Sequence, residues 1–161
     1  MIKRRSFIAG AGASLVAACS GQAYTGPEVT RIQVFKGQRM MQLLHNDRQL
    51  AAFKCALGFN PVGHKTTEGD GRTPEGAYRI DRRNPNSLYH LSLGLSYPNA
   101  LDVEQARKRG VSPGGDIFIH GTPSSFMEKG DWTWGCIAVE NHEMDAIFRM
   151  VGVGTPIYIY A

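Results

Sequence analysis

The sequence has little of three features that would place it in a more specialised class of protein. Its 161 residues include only three cysteines, too few for a small domain held together by several disulfide bonds. It has no run of the roughly 20 apolar residues that a membrane-spanning helix needs. Its net charge of +4 includes three N-terminal basic residues. Without them 15 of the 18 basic residues remain against 14 acidic ones, a net of +1, which argues against a nucleic-acid partner.

Metal-binding motifs are also absent from the sequence. The histidines His45, His64 and His142 have no spacing typical of metal ligands. We therefore expect no metal site and no cofactor.

The first eighteen residues predict an export signal. Residues 3–8, KRRSFI, resemble a twin-arginine signal, and the apolar stretch 8–18 is too short to span a membrane. Residues 16–19, VAAC, resemble a lipobox, in which Cys19 is lipidated and becomes the mature N-terminus. We therefore expect an exported, periplasmic lipoprotein that is anchored to a membrane through Cys19. A plain cleaved signal followed by an incidental cysteine is the alternative.

The rest of the chain predicts one mainly β domain, residues 29–161, after a linker of residues 19–28. Alternating and short apolar runs bounded by turn residues predict strands at 29–35, 39–45, 48–57, 77–80, 89–96, 117–119, 137–139 and 157–160. The first three strands read as an antiparallel meander. Many short strands with few helices favour a β-sandwich or a partly closed barrel.

Two short helices are predicted within this domain. Asp102 is expected to cap the first helix, which runs to about Arg109 and stops at Gly110. The second helix begins near Asn141, and its apolar residues recur at the spacing of one helical face.

A histidine and a cysteine each follow or open a predicted core strand. His120 ends the apolar run 117–119, and Cys136 opens the run 137–139. A cysteine attacks as the thiolate and needs a base beside it, so His120 is the candidate base for Cys136. The carbonyl of Gly121 is the candidate group that orients the imidazole. The backbone amides of Gly135 and Cys136 are the candidate oxyanion donors.

The second cysteine of the domain leaves an alternative open. Cys55 shares the face of a predicted strand with apolar residues and is expected to be a small buried side chain. An exported protein can instead join Cys55 to Cys136 in a disulfide, which would abolish thiol chemistry at Cys136.

Several motifs resemble one known family. Residues 120–122, HGT, with Thr133-x-Gly135-Cys136-Ile137, resemble the signature of YkuD-type L,D-transpeptidases. Residues 69–76, GDGRTPEG, and the closing strand extend the resemblance from about Arg31 to Tyr160. Further motifs resemble the branch labelled YafK-like, at residues 131–133, 89–93, 97–99 and 135–139.

The resemblance implies a YkuD-like β-sandwich and a peptidoglycan stem peptide as substrate. By resemblance, Cys136 attacks the carbonyl on the L-side of a diaminopimelate L,D bond, with His120 as base and the Gly121 carbonyl as the third member. The thioester then passes to an amine, giving a crosslink, or to water. Such an enzyme would act in cell-wall organisation and cell shape. A hydrolase of the same fold, an L,D-carboxypeptidase or amidase, and a non-enzymatic wall-associated lipoprotein are the alternatives.

Two positions depart from the family pattern. Ala138 stands where many members carry an arginine that meets a substrate carboxylate, so Lys65, Arg72 and Arg79 are the candidate replacements. Trp134 stands where many members carry a small, polar or histidine residue before the Gly-Cys pair, and we expect it to wall the pocket, stack on sugar or fill a gap in the core. Substrate-binding candidates also include Thr133 and His90.

Overall fold

The computed structural model of the protein describes residues 23–161. The predicted export signal, residues 1–18, and the predicted lipidation site Cys19 lie outside the described residues. Residues 23–30 form neither helix nor strand. Val29 is buried at the start of the predicted domain.

The described part of the chain folds into one sheet of eight strands with two helices, so the predicted mainly β class is confirmed. The helices are α1 (Ala100–Arg109) and α2 (Asn141–Met150). The strands are β1 (Arg31–Phe35), β2 (Met40–His45), β3 (Arg48–Lys54), β4 (Gly76–Ser87), β5 (His90–Leu95), β6 (Phe118–Gly121), β7 (Ile137–Val139) and β8 (Pro156–Tyr160).

The order of the strands is β3-β2-β1-β8-β4-β5-β6-β7. The predicted antiparallel meander of β1, β2 and β3 is confirmed. The last strand of the chain lies in the middle of the sheet, where β8 is parallel to β1 and antiparallel to β4. β8 thus joins the N-terminal meander to the half of the sheet that contains His120 and Cys136.

β4 belongs to both halves of the sheet. Its residues 76–79 pair with β8, and its later residues pair with β5 after a register shift between Ile80 and Arg82. A bulge of this kind bends a strand and increases its twist. Ala56, which follows the edge strand β3, forms an isolated bridge with Ala138 of the other edge strand, β7. In the described residues β3 and β7 do not pair with each other, so the sheet is open and does not close into a barrel.

The core lies between the sheet and α2. The apolar stripe of α2 is confirmed, since Met144 and Ile147 are fully buried, as is Val151 just after the helix. They pack with the inward residues of the strands, which include Ile32, Leu43, Leu57, Leu93, Ile119, Ile137 and Ile157.

The start of α1 differs from the prediction. Asn99, and not Asp102, is the N-cap, because its side chain accepts hydrogen bonds from the amides of Leu101 and Asp102. Asp102 is the third helical residue, and its carboxylate accepts the Asn99 amide, which completes a capping box. The predicted stop at Gly110 is confirmed by its left-handed conformation.

Candidate active site

The parallel pair β6 and β7 brings the predicted base and nucleophile together. Ile119 lies opposite Ile137, and His120 opposite Ala138, so Cys136 sits just before β7 and beside Phe118. Both strands are short and buried among core side chains. His120 and Cys136 line one cavity of about 310 Å³.

His120 is held in one tautomer by its neighbour along the chain. Its Nδ1 lies 2.7 Å from the carbonyl oxygen of Gly121, as the sequence predicted. A carbonyl only accepts hydrogen bonds, so Nδ1 carries the proton and Nε2 is free to accept one. Burial lowers the pKa of His120, and the Gly121 carbonyl opposes that shift only in part. The imidazole is therefore neutral at neutral pH.

Aromatic rings enclose this imidazole. Tyr89 stacks on His120 with ring centroids 4.7 Å apart, and Trp132 meets it edge-on at 5.7 Å. Phe126 stacks in turn on Trp132 at 4.3 Å. His120 is only 4% exposed, and these rings supply much of the apolar surroundings that disfavour its charged form.

Gly121 is required by close packing. A side chain there would place its first carbon 2.2 Å from Oδ1 of Asn141 and 3.0 Å from the carbonyl oxygen of Tyr89. The Gly121 amide donates to that same carbonyl at 2.9 Å. The backbone around His120 is therefore fixed from both sides.

The Cys136 thiol is neutral and partly exposed. Its Sγ lies 3.6 Å from the backbone carbonyl of Asp116, to which it donates a weak hydrogen bond. The pKa of Cys136 is raised, mainly by burial and to a lesser degree by the Asp116 carboxylate. A hydrogen bond from the Phe118 amide and the charge of Lys65 oppose this shift in part. The thiol consequently needs a base at neutral pH.

The alternative disulfide between Cys55 and Cys136 is wrong, because both cysteines are free. Cys55 is buried in the core cluster, as predicted. Burial raises its pKa to about 12, so it behaves as a small apolar side chain.

The turn before Cys136 is built around Thr133. Its hydroxyl donates to the Cys136 carbonyl at 2.7 Å and accepts the Gly135 amide at 3.1 Å. The Gly135 amide, a predicted oxyanion donor, is therefore bonded within the turn in this structure. The predicted donor at Cys136 stays a prediction. Thr133, a predicted substrate contact, is buried with its hydroxyl engaged twice.

Three glycines let the loop of residues 58–73 pack against this turn. A side chain on Gly58 would meet the Gly71 carbonyl oxygen at 2.1 Å, and one on Gly135 would meet the Arg72 carbonyl oxygen at 2.6 Å. Gly71 and Gly135 also have positive φ angles of 68° and 127°. The dense turn motif in the sequence thus supports the backbone that carries Cys136.

A second cavity, of about 400 Å³, also borders Cys136. Its lining, which includes Lys65, Glu68, Asp116 and Trp134, is more polar than that of the first cavity, and we call it the polar cavity. The first cavity contains more apolar side chains, among them Leu88, Tyr89 and Phe118. Cys136 and Asp116 border both cavities.

The predicted substrate-binding residues divide into two groups. Lys65 and Trp134 line the polar cavity, and Trp134 is 69% exposed with its ring packed edge-on against Phe59. His90, Arg72 and Arg79 line neither cavity. His90 pairs with Asp145 of α2 at 2.8 Å, and Arg79 donates to the Gly154 carbonyl. The Arg72 carbonyl packs against Gly135.

Three residues of the site, Tyr89, Trp132 and Asp116, could not be assigned to it from the sequence. Tyr89 and Trp132 were visible only as parts of motifs, and their stacking on His120 depends on strand pairing and a long loop. Asp116 follows two glycines, which signals a turn, but its position beside the thiol depends on the fold.

Within residues 23–161, no helix is both long and apolar enough to cross a membrane. In the same residues, no three or more His, Cys, Asp or Glu side chains are grouped to hold a metal ion.

Relatives of known structure share this fold. The helical cell shape determining protein Pgp2 from Campylobacter jejuni superposes with a TM-score of 0.66 at 25% identity, covering 85% of this chain and 49% of Pgp2. Bd1075 from Bdellovibrio bacteriovorus has a TM-score of 0.59 at 26% identity, covering 83% of this chain and 48% of Bd1075. An L,D-transpeptidase from Xylanimonas cellulosilytica superposes with a TM-score of 0.55 at 14% identity, covering 86% of this chain and 63% of that protein's chain. At this low identity the likeness shows only that the two proteins share the fold.

Sequence comparison agrees with the structural one. The Escherichia coli (strain K12) protein named "Putative L,D-transpeptidase YafK" is 31% identical in an alignment 126 residues long that covers 74% of this chain and 46% of that protein. The chain thus spans about half the length of such relatives. A family model described as YkuD, L,D-transpeptidase catalytic domain, matches residues 29–159. The chain therefore belongs to the YkuD family of L,D-transpeptidase catalytic domains.

Proposed function

We propose that this domain is a cysteine-dependent L,D-transpeptidase that acts on peptidoglycan stem peptides through a thioester. The observation that carries the proposal is the shared cavity of His120 and Cys136, in which the Gly121 carbonyl fixes the imidazole with Nε2 as the proton acceptor. A neutral thiol beside a neutral, oriented imidazole fits general-base activation of a nucleophile.

The proposed reaction has two half-reactions. As the Cys136 sulfur bonds to the peptide carbonyl carbon, Nε2 of His120 takes the thiol proton. The tetrahedral intermediate collapses to a thioester, and the leaving amine takes that proton from the imidazolium. An acceptor amine then attacks the thioester and gives a proton to His120, the bond from carbon to sulfur breaks, and the imidazolium returns that proton to the departing thiolate, which regenerates the Cys136 thiol. Attack by water in place of the amine gives hydrolysis.

Two cavities that both border Cys136 support both outcomes of the second half-reaction, because one can hold the acyl donor while the other admits an amine or water. Purified domain incubated with a disaccharide tetrapeptide, followed by mass spectrometry, separates them. Crosslinked dimers are expected for transfer, and release of the terminal D-amino acid without dimers would indicate an L,D-carboxypeptidase.

Cys136→Ala is expected to abolish both products, whereas Cys55→Ala, which alters a buried thiol outside the cavity, should retain them. Turnover by Cys136→Ala equal to the wild type, or no product from the wild type, would contradict the proposal. If the protein is instead a non-enzymatic wall-associated lipoprotein, the wild type should form no product and a carbapenem should not acylate Cys136.

The proposal includes export to the periplasm and a lipid anchor on Cys19. It is supported by the sequence of residues 1–19, which resembles a signal followed by a lipobox. Loss of the protein from the membrane fraction in a Cys19→Ser variant tests it.

A further inference from the structure

Asp116 borders both cavities beside the reacting thiol. Its backbone carbonyl oxygen lies 3.6 Å from Sγ of Cys136 and accepts a weak hydrogen bond from the thiol, and its side chain is 89% exposed. We propose that Asp116 is a specificity-determining residue that binds the ammonium group of a diamino acid in the substrate, next to the bond that Cys136 attacks. This inference rests on the proposed function, since it names a group that the enzyme would recognise on the stem peptide.

The surroundings of Asp116 leave its negative charge incompletely balanced. Arg82 donates to Asp116 at 3.0 Å, but the same guanidinium also donates to both carboxylate oxygens of Asp81. Two carboxylates therefore share one cation, which is held by its contact with the Phe118 ring at 4.5 Å. A further cation near Asp116 would neutralise the excess charge.

The other charges of the polar cavity also favour a cation. Lys65 is buried and paired with Asp70 at 2.9 Å, so its charge is already balanced. Glu68 is exposed at the cavity and forms no ion pair with the described residues. The cavity thus has an excess of negative charge, which suits an ammonium group better than the carboxylate that the sequence led us to place there.

The backbone of Asp116 keeps the carboxylate and the carbonyl in these positions. Its φ angle is 53°, in the left-handed region, where asparagine and aspartate are the best-tolerated residues with a side chain. Asp116→Asn therefore removes the charge while preserving the backbone and the thiol contact.

Binding of an ammonium group at Asp116 also has a consequence for the thiol. The Asp116 carboxylate is close enough to contribute to the raised pKa of Cys136, after the larger effect of burial. A bound ammonium offsets this negative charge and eases loss of the thiol proton to His120. The same contact thus selects the substrate and activates the nucleophile.

The test compares two tetrapeptides that differ only in whether the side-chain amine of the diamino acid is free or acetylated. The wild type is expected to favour the free amine about tenfold in kcat/KM, and Asp116→Asn should lose most of that preference. Asp47→Asn is the matched control, because Asp47 is another exposed aspartate paired with a different arginine, Arg31, and lines neither cavity. It should keep the preference.

A second measurement separates this role from damage to the site. Alkylation of Cys136 by iodoacetamide at neutral pH should be about two- to fivefold faster in Asp116→Asn than in the wild type. A distorted site would instead slow alkylation. Unchanged substrate preference in Asp116→Asn, or equal loss in Asp47→Asn, would overturn the inference. Equal turnover of both peptides by the wild type overturns the inference alone, and turnover of neither overturns the proposed function with it.

Discussion

The two central residues have pKa values shifted in opposite directions by the same cause. Burial lowers the pKa of His120 and raises that of Cys136, so each favours its neutral form. A thiolate–imidazolium pair is therefore not formed in advance. In the proposed reaction, proton transfer therefore accompanies attack on the carbonyl, and the rate should depend on a neutral imidazole with Nε2 available.

The acid limb of the pH–rate profile follows from this arrangement. Protonated His120 cannot accept the thiol proton, so kcat/KM should fall as the pH drops through the pKa of His120, below the ordinary value of about 6.5. Tyr89→Leu removes a ring stacked on the imidazole and admits water, which should move the limb to higher pH by about half a unit.

Tyr158→Leu is the control for this shift, because Tyr158 is an exposed tyrosine that lines neither cavity. It should leave the limb in place. An acid limb that Tyr89→Leu does not move would show that the stacked ring has no effect on the protonation of His120.

At the scale of elements, the segment before Cys136 depends on contacts made by a distant loop. The Thr133 amide donates to the Leu57 carbonyl at 3.1 Å, and the Phe59 amide donates to the Thr133 carbonyl at 2.9 Å. Gly58, between these two, approaches the backbone of Gly71. The position of Cys136 is therefore set by backbone-to-backbone packing.

Gly58→Ala tests this packing. Its added methyl group would lie 2.1 Å from the Gly71 carbonyl oxygen, so the loop or the turn must move. We expect the free energy of unfolding to fall by about 1–3 kcal/mol, with reduced alkylation of Cys136. Urea denaturation and thiol labelling measure the two effects.

Gly152→Ala serves as the comparison, since Gly152 is exposed and a methyl group there meets nothing within 4 Å. Its stability should change by less than about 0.5 kcal/mol. Equal stability of the two variants would mean that the loop accommodates the extra methyl group without cost.

Elements with a regular apolar pattern were predictable from the sequence. The meander β1–β3, the buried face of α2 and the strand β7 were all predicted close to their observed bounds. β4 extends to Ser87 beyond the predicted end at residue 80, because its polar outer half pairs with β5 and has no buried face to produce alternation. The N-cap Asn99 was missed because Asp102 in the same capping box carries an equally strong capping signal.

The candidate site could be predicted from the sequence only for residues whose type itself indicates a chemical role. His120, Gly121 and Cys136 were predicted from their chemistry and from the family resemblance, whereas the pairing of β6 with β7 that brings them together is known only from the structure. The position of β8 between β1 and β4, the aromatic cage and Asp116 depend on contacts between distant segments, which no local pattern encodes.

On the scale of the whole molecule, two buried lysines hold the long connection between β3 and β4. Lys36 donates to the carbonyls of Gly63 and Thr73 and to the Glu75 carboxylate. Lys65 donates to Asp70, whose carboxylate also accepts three backbone amides within the loop. These contacts hold the wall of the polar cavity without a regular element.

The stability of this connection should depend on pH through Asp70. Burial alone would raise the pKa of Asp70, but hydrogen bonds from the amides of Thr66, Arg72 and Thr67 and from Lys65 outweigh it, so the pKa is lowered. A carboxyl with a lowered folded pKa stabilises the fold above its ordinary value of about 3.9, and the contribution is lost as the pH falls through the folded value.

Asp70→Asn should therefore reduce the free energy of unfolding by about 1–3 kcal/mol at pH 7 and by much less near pH 3, as measured by urea denaturation. Asp47→Asn is the comparison, because the Asp47 side chain is fully exposed and contacts only Arg31, and it should change stability little at either pH. A deficit of Asp70→Asn that is equal at pH 7 and pH 3 would mean that the carboxylate charge does not hold the loop. In that case the loss of stability would come from the missing second oxygen of the asparagine side chain, which leaves a backbone amide of the loop without its acceptor.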